Sequence, residues 1–457
     1  MKAKPLFEDF PEVSAKAWKQ KIQYELKGKD YNQEMVWDSP EGIKVKPFYH
    51  ADDLVGVPTN QYGVASWKIG QTIYAGNARM ANEKALKFLG KGAEAIQFVI
   101  PNEEVDVVSL LKNINLSITE IYLDMQFLSK AYISQLWSKV AGAEKIHLQI
   151  DVINHLSASG NWYRSLEKDH EVLDALLAMD IKNLVSIDTS LYENAGAHKV
   201  QQLAFGLAHA NEYLNHLHTT GKLERLKQIQ FKVSVGGNYF FEVAKLKALR
   251  VLWDALCASY EISCECHITT TPSKRNKTIY DYNVNQLRTT TECMSAILGG
   301  SNTVFNLPYD SIYHKDNDFA ERIALNQLLV LKEESYFDQV ANPTEGCYYL
   351  ESLTEQLAEK ALELFKSIEK NGGFLSQLKN HSVQNKIMES AKKQQDLFDS
   401  GKEVLVGINK FQQQEDRMKG NLELYPFVKR NPRKTLITPI IEKRLAGEWE
   451  QKRLNHE

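Results

Sequence analysis

Residues 229–271 read IQFKVSVGGNYFFEVAKLKALRVLWDALCASYEISCECHITTT. A seven-residue run fit for a strand passes through a Gly-Gly turn into a long helical pattern, and a second strand-like run, CECHITTT, closes the stretch. The helical part places Val243, Leu246, Val251 and Ala255 near one face. A strand, a crossover helix and another strand make the unit of a parallel sheet covered by helices. Working outward, similar runs stand at WKIGQTIYAG, IQFVI, EIYLDM, IHLQIDV and LVSIDTS before it and at TVFNLP after it, most of them followed by helical patterns such as KAYISQLWSKVAG. Eight units over roughly 240 residues predict an α/β fold, a (β/α)8 barrel. A doubly wound sheet has the same alternation, and periodicity alone does not separate the two.

The flanks differ from this core. PEVSAKAWKQKIQYELKGK predicts one amphipathic helix with Trp18, Ile22 and Leu26 on a face and Gly28 as its stop. An extended piece, IKVKPFY, and a Gly- and Pro-bearing loop follow. This segment is too short to be a domain, so its apolar face must lie on the body or on another chain. Beyond the last strand come DNDFAERIALNQLLVLKEES, ESLTEQLAEKALELFKSIEKNGG and FLSQLKNHSVQNKIMESAKKQQDLF, each periodic at helical spacing. The expected organisation is an N-terminal arm over 1–60, a barrel with appended helices over 61–400, and a linker-like tail over 401–457. That tail is irregular until a charged helix at IEKRLAGEWEQKRL.

Composition excludes several classes. Of 457 residues, 43% are hydrophobic and 25% charged, within the ordinary globular range. Fifty-five Lys and Arg stand against 58 Asp and Glu, a net charge of −3 that gives no reason to expect a nucleic-acid or membrane surface. The first residues, MKAKPLFEDF, carry no apolar run like that of a secretory leader, and no stretch approaches the ~18 apolar residues of a bilayer span. Cys257, Cys264, Cys266, Cys293 and Cys347 form an odd, scattered set. Reduced thiols in a cytoplasmic protein fit them better than a disulfide framework.

Several long phrases resemble the coenzyme B12-dependent acyl-CoA mutases, specifically methylmalonyl-CoA mutase. They are NYFFEVAKLKALRVLW (238–253), DFAERIALNQLLVLKEES (318–335), EGCYYLESLT (345–354), IEKNGGF (368–374) and GKEVLVGINKF (401–411), with Tyr74 to Gly76 opening the barrel. The resemblance runs in consistent order from about residue 5 to 457. It implies a (β/α)8 barrel that takes acyl-CoA along its axis. A separate C-terminal domain would hold cobalamin on the barrel mouth, and a cofactor-derived radical would drive thioester migration.

Two requirements of that chemistry are missing here. The family's cobalamin domain carries D-x-H-x-x-G. The one H-x-x-G in this chain, His218 to Gly221, has His216 at the Asp position and sits where a helical pattern stops. The resemblance also implies a Tyr-His pair at the end of LVSIDTSLYENAGA, the histidine bonding the thioester carbonyl. Register from Ile187 and from Ala195-Gly196-Ala197 puts Ser190 and Leu191 there. Leucine cannot donate a hydrogen bond, and losing such a donor typically costs ~2.7–4 kcal/mol of transition-state stabilisation. A catalytic arginine falls near Ser159; later histidines map to Gly300 and Phe305, and an Arg-Thr-His run to His267-Ile268-Thr269. No catalytic residue is therefore expected. Tyr74 and Gln149 match substrate-facing positions and are kept as vestigial substrate contacts, with plainer readings as a rim aromatic and a buried polar group.

Other constellations carry less. Cys264-Glu265-Cys266-His267 puts two thiols on one strand face and the imidazole on the other, which favours a core role over a metal site. GGNYFF and LGGSN make neither a dinucleotide fingerprint nor a P-loop, and no Gly-x-Ser-x-Gly elbow exists. PSKRNK (272–277) reads as a solvated basic loop. The pattern matches the small, non-catalytic subunit of a heterodimeric mutase. Such a chain binds no cofactor itself; adenosylcobalamin belongs to a large-subunit partner, which this chain stabilises. A homodimer is open when the partner is absent, and acyl-CoA is expected to bind weakly if at all. Two alternatives stay open: the active barrel of a split mutase that borrows a cobalamin-binding chain, and a non-catalytic acyl-CoA-binding protein.

Overall fold

The computed structural model describes residues 9–10, 13–54, 63–64, 66–140, 142–179, 181–429 and 432–457. Eight strands form its centre: β1 (Lys68–Tyr74), β2 (Ala95–Ile100), β3 (Glu120–Met125), β4 (Ile146–Leu148), β5 (Ser186–Asp188), β6 (Gln228–Val235), β7 (Glu265–Pro272) and β8 (Thr303–Phe305). Each pairs in parallel with its neighbours, in the order β4-β3-β2-β1-β8-β7-β6-β5. The two ends of that sheet meet at a parallel bridge between Ile150 and Val185, with Ile150 N donating to Leu184 O at 3.2 Å and Ser186 N to Ile150 O at 3.0 Å. The sheet thus returns on itself. A doubly wound sheet, whose edges stay apart, is excluded, and the (β/α)8 barrel stands.

The strand 228–235 shows how the barrel is built. Ile229, Phe231, Val233 and Val235 point outward and are buried under helices, Phe231 lying edge-on to Trp253 at 5.4 Å. Gln228, Gln230, Lys232 and Ser234 point inward. Helix Tyr239–Ser259 covers this strand, and the Trp253 indole N–H reaches Cys264 O at 2.9 Å, satisfying the donor of a fully buried ring. Val243 and Leu246 are buried as the periodicity requires, but Val251 and Ala255 are exposed. Residue 251 lies five positions past Leu246, about 140° away round the helix; Leu252, Trp253 and Leu256 take the inner face instead.

The run 374–398 is two helices, Gly373–Lys379 and Ser382–Asp399, broken at His381 with φ 61°. Among the described residues of the tail only Gly447–Asn455 is helical. The preceding residues lie extended over the loops at the C-terminal ends of the strands, Ile440 N bonding Ser157 O (2.8 Å), Lys443 N Asn194 O (3.0 Å) and Leu445 N Arg275 O (2.8 Å). Gly160, at φ 80°, leaves room for this strap, because a Cβ there would fall 2.7 Å from Ile437 O. A small second core of Tyr280, Tyr313, Phe398, Ile408, Met418 and Leu445 anchors it.

The N-terminal helix spans Ala15–Glu25, and Lys27 and Gly28 follow it at positive φ. None of its residues is buried; Trp18 stacks on Phe48 at 4.4 Å and stays 48% exposed. The expected arm–barrel boundary at residue 60 lies outside the described residues, as do residues 1–8 of the N-terminus.

Helices Lys199–Thr219 and Tyr348–Lys370 pack together and enclose Glu369. Its Oε2 accepts from Asn211 Nδ2 at 2.9 Å, while Oε1 is buried without a hydrogen bond among the described residues. Burial first, then the Glu212 carboxylate, push Glu369 up to about 7. A carboxyl raised above its unfolded value near ~4.3 favours folding while protonated and loses that contribution as pH rises through the folded value. Glu369→Gln, which stays neutral, should therefore gain in melting temperature over the parent as pH is taken from 5 to 8. Parallel melting curves at every pH would contradict it.

Candidate functional site

Chemistry in parallel barrels gathers at the C-terminal ends of the strands. Here that mouth is occupied by charge. Lys232 of β6 reaches across to Asp124 of β3 (2.9 Å) and to Asp188 of β5 (3.1 Å). Burial alone would strip the ammonium of its proton, but the two carboxylates outweigh it and hold Lys232 above its ordinary value. Burial likewise pushes Asp188 upward; Lys232 and Ser190 overcome this and keep it ionised. Next to them Asp151 accepts from Asn154 N and Asp188 N (both 2.8 Å), and from Tyr213 Oη (2.9 Å), with His209 Nε2 at 2.9 Å. These carboxylates are engaged in fixing one another's surroundings.

Deeper in, side chains cross the axis. The Tyr122 hydroxyl lies 2.8 Å from His267 Nε2 on the opposite strand and 2.8 Å from Thr303 Oγ1. His147 stacks on Tyr122 at 4.4 Å and on His267 at 4.7 Å, and its Nε2 meets Glu120 at 2.9 Å. Gln97 Nε2 bonds Gln149 Oε1 at 3.0 Å, and Gln230 Nε2 bonds Thr269 Oγ1 at 3.2 Å. Phe305 sits edge-on to Tyr122 at 5.4 Å and over Gly70, where a Cβ would come within 2.5 Å of its ring. Burial raises the Tyr122 phenol and lowers the His267 imidazole, so both stay neutral. The axis is filled by a hydrogen-bonded, mostly uncharged column.

The residues singled out from sequence fall around this column. Tyr74 ends β1 on the rim, 61% exposed. Gln149 is 5% exposed, and its Nε2 is buried with no hydrogen-bond partner among the described residues. Ser190 opens the helix Ser190–Ala195, its N–H bonding Asp188 Oδ1 at 3.0 Å and its hydroxyl bonding the same oxygen. Leu191 packs in the apolar core at 7% exposure. Ser159 ends helix Val152–Ser159; its hydroxyl donates to Asn161 O (2.8 Å), and its carbonyl accepts from Arg433 of the tail (2.7 Å). Gly300 turns into β8 at φ 87°, and its carbonyl accepts from Arg250 at 2.6 Å. His218 and Gly221 lie at the end of helix Lys199–Thr219, and His216 bonds Asp174 at 2.9 Å.

Cys266 faces the helices and His267 the axis. Among the described residues no group of three His, Cys, Asp or Glu side chains has metal-binding geometry, and no helix is long and apolar enough to cross a membrane. The basic loop 272–277 is not solvated as its composition predicts. Arg275 and Lys277 are buried, Arg275 bonded to Gln394 and to Lys443 O, Lys277 paired with Glu292 at 2.7 Å. Partners 15 to 168 residues away supply what a local reading could not see.

A pocket of about 190 Å³ opens at the mouth between β3, β4 and helix Val152–Ser159. Gln149, Asn154, His155, Tyr163, Lys232 and Asp188 line it. Asn154 Oδ1 joins Gln149 Nε2 as a buried polar atom without a hydrogen-bond partner among the described residues. A buried orphan of this kind costs roughly 1–3 kcal/mol.

The methylmalonyl-CoA mutase family model matches residues 102–444. The chain belongs to the methylmalonyl-CoA mutase family. It is 34% identical over 440 residues to the methylmalonyl-CoA mutase small subunit of Porphyromonas gingivalis, covering 89% of this chain and 71% of that one. It is 26% identical to the small subunit of Streptomyces virginiae, covering 88% of this chain and 71% of that one. The methylmalonyl-CoA mutase of Cereibacter sphaeroides is 28% identical over 86% of this chain, which spans 64% of that relative's length. Within a mutase-family barrel, Lys232 is the residue that holds the mouth together. Breaking one partner of a buried ion pair typically costs ~3–5 kcal/mol. Lys232→Met should lower stability by about that much in denaturant titration, and adding Asp124→Asn and Asp188→Asn should recover part of it. A neutral Lys232→Met variant would show that the triad contributes nothing.

Proposed function

We propose that this chain is the non-catalytic small subunit of a heterodimeric methylmalonyl-CoA mutase, stabilising a large subunit that holds adenosylcobalamin and interconverts methylmalonyl-CoA and succinyl-CoA. The observation that carries this reading is the occupied barrel axis. Tyr122 bonds His267 across it at 2.8 Å, and Lys232 bonds Asp124 at 2.9 Å, so an acyl-CoA threaded along the axis would have to displace both. Leu191 packed in the core, at the position where the family resemblance implies a histidine, supports it further. The relatives named as small subunits, covered by this chain over 71% of their length, point to a large-subunit partner. This chain itself binds no cofactor in this reading and takes acyl-CoA weakly if at all; a homodimer is open to it when the partner is missing. Five unpaired cysteines suit a cytoplasmic location.

The N-terminal helix is the proposed partner-wrapping element, because it buries none of its residues on its own barrel and leaves Trp18 and Tyr24 open. An obligate interface buries ~2,000–5,000 Å², and an arm adds area beyond what one barrel face offers. Deleting residues 1–30 should weaken association with the large subunit about tenfold or more, while the barrel's own melting transition stays within a few degrees. Unchanged association would remove the arm from the interface.

Isomerisation of methylmalonyl-CoA with adenosylcobalamin should be measured for this chain, for a large subunit, and for both together. Activity is expected only where the large subunit is present, and Tyr74→Phe in this chain should leave it within about twofold. Turnover by this chain with only a separate cobalamin-binding protein would replace the proposal with the split-mutase reading. Tight acyl-CoA binding without turnover would favour an acyl-CoA-binding role.

A further inference from the structure

We infer that Cys257 and Cys264 form an oxidisable dithiol, a modification site at which hydrogen peroxide closes a disulfide between the covering helix Tyr239–Ser259 and the start of β7. This does not depend on the chain's role in a complex. All five cysteines are unpaired in the structure, but they are not equivalent.

Cys257 lies in the last turn of helix Tyr239–Ser259, and Cys264 stands one residue before β7. The chain between them folds back sharply. Tyr260 N and Ile262 N both donate to Cys257 O at 3.1 Å, and Glu261 takes φ 55°. Cys257 Sγ is thereby brought 4.0 Å from Cys264 O, and the two thiols are in direct hydrogen-bond contact. The Trp253 indole holds Cys264 O at 2.9 Å, which fixes the strand against the helix. Ala258, Ser259, Glu261 and Ser263 are exposed, so the turn can give as the sulfurs close from contact to the ~2.05 Å of a disulfide.

The other thiols are placed to stay apart. Cys266 shares a strand face with Cys264 two residues on, a spacing that separates their Cβ atoms by about 6.6 Å. A disulfide spans only ~3.5–4.5 Å between Cβ atoms. Cys293 is enclosed on helix Val284–Leu298, its Sγ 3.5 Å from Asn306 Oδ1. Cys347, the exposed one, stands before helix Tyr348–Lys370.

The contact also sets the order of the steps. The hydrogen bond from Cys264 lowers the Cys257 thiol, whereas that same bond and then burial raise Cys264. Cys257 sulfur therefore attacks the peroxide: an S–O bond forms, the O–O bond breaks, and water leaves with the Cys257 proton. Cys264 sulfur then attacks the sulfenic sulfur; the S–S bond forms, the S–O bond breaks, and the hydroxyl leaves as a second water with the Cys264 proton. The two thiols lose two electrons and two protons, and one peroxide is reduced to two waters. At 5% and 7% exposure the pair favours a small oxidant over a bulky one.

The reduced full chain should be exposed to hydrogen peroxide while folded, its remaining thiols alkylated in denaturant, and its peptides mapped by mass spectrometry. Cleavage after Glu261 and Glu265 separates Cys257, Cys264 and Cys266. A Cys257–Cys264 cross-link reversed by dithiothreitol should exceed any other pairing about tenfold or more, because a thiol held against its target acts at high effective concentration. Cys257→Ser should abolish it and leave Cys264 alkylated, while Cys293→Ser leaves it unchanged. The map of the parent chain decides by itself, so the result does not hang on whether a variant folds. A cross-link from Cys257 to Cys266, sulfinic acid at Cys257 without a cross-link, or five alkylated cysteines after peroxide would each overturn the proposal.

Discussion

Everything else in this barrel follows from what its strands point inward. Parallel barrels usually fill their axis with branched apolar side chains in layers. Here the inward positions carry Gln97, Tyr122, His147, Gln149, Gln230, Lys232 and His267 beside Phe305, and most apolar positions face the helices. A polar interior is stable only if its groups bond to one another, because each buried orphan costs as much as a typical hydrogen bond gains. That requirement forces the contacts across the axis. Tyr122 bonds His267, Lys232 bridges Asp124 and Asp188, and Gly70 stays small beneath Phe305. Gln149 Nε2 and Asn154 Oδ1, on two residues that line the mouth, are among the buried atoms without a partner among the described residues.

Much of the architecture could be read from the sequence. All eight strands overlap the runs that periodicity marks; β2, β6 and β7 each reach one residue beyond theirs, and EIYLDM coincides with β3 from end to end. Runs such as IQFVI are apolar enough to be recognised without any knowledge of their partners. Closure was not legible, because it rests on one short bridge, Ile150 to Val185, that no local pattern announces. The break at His381 was hidden for a similar reason: the flanking residues keep helical spacing, and only the positive φ at that position betrays it.

The candidate site was legible in part. Tyr74 ends β1, Gln149 follows β4, and Ser190 and Leu191 follow β5, whereas Ser159 stands at the end of helix Val152–Ser159. The charged residues that organise the mouth, Asp124, Asp188 and Lys232, stand outside every motif of the sequence. Their signal was present: a strand buried on both faces normally reads as a continuous apolar run, whereas IQFKVSV alternates. In a barrel such alternation means a polar axis. The burial of Arg275 and Lys277 had no such signal, because Gln394, Lys443 and Glu292 come from other elements of the fold.

The strap formed by residues 436–445 has a bearing on how the molecule is made. It joins the loops at Ser157, Gly160, Asn194 and Arg275 through backbone hydrogen bonds whose partners lie about 170 to 280 residues apart in sequence. Contacts of such separation form late, after the loss of chain entropy has been met by local strand–helix units. During synthesis at ~5–20 residues per second, the barrel strands leave the ribosome many seconds before the strap does. Over that interval the nascent barrel has its ring of strands while the loops around its mouth still lack their tether. The mouth is then the last part to become native, and the part on which a chaperone would have the longest time to act.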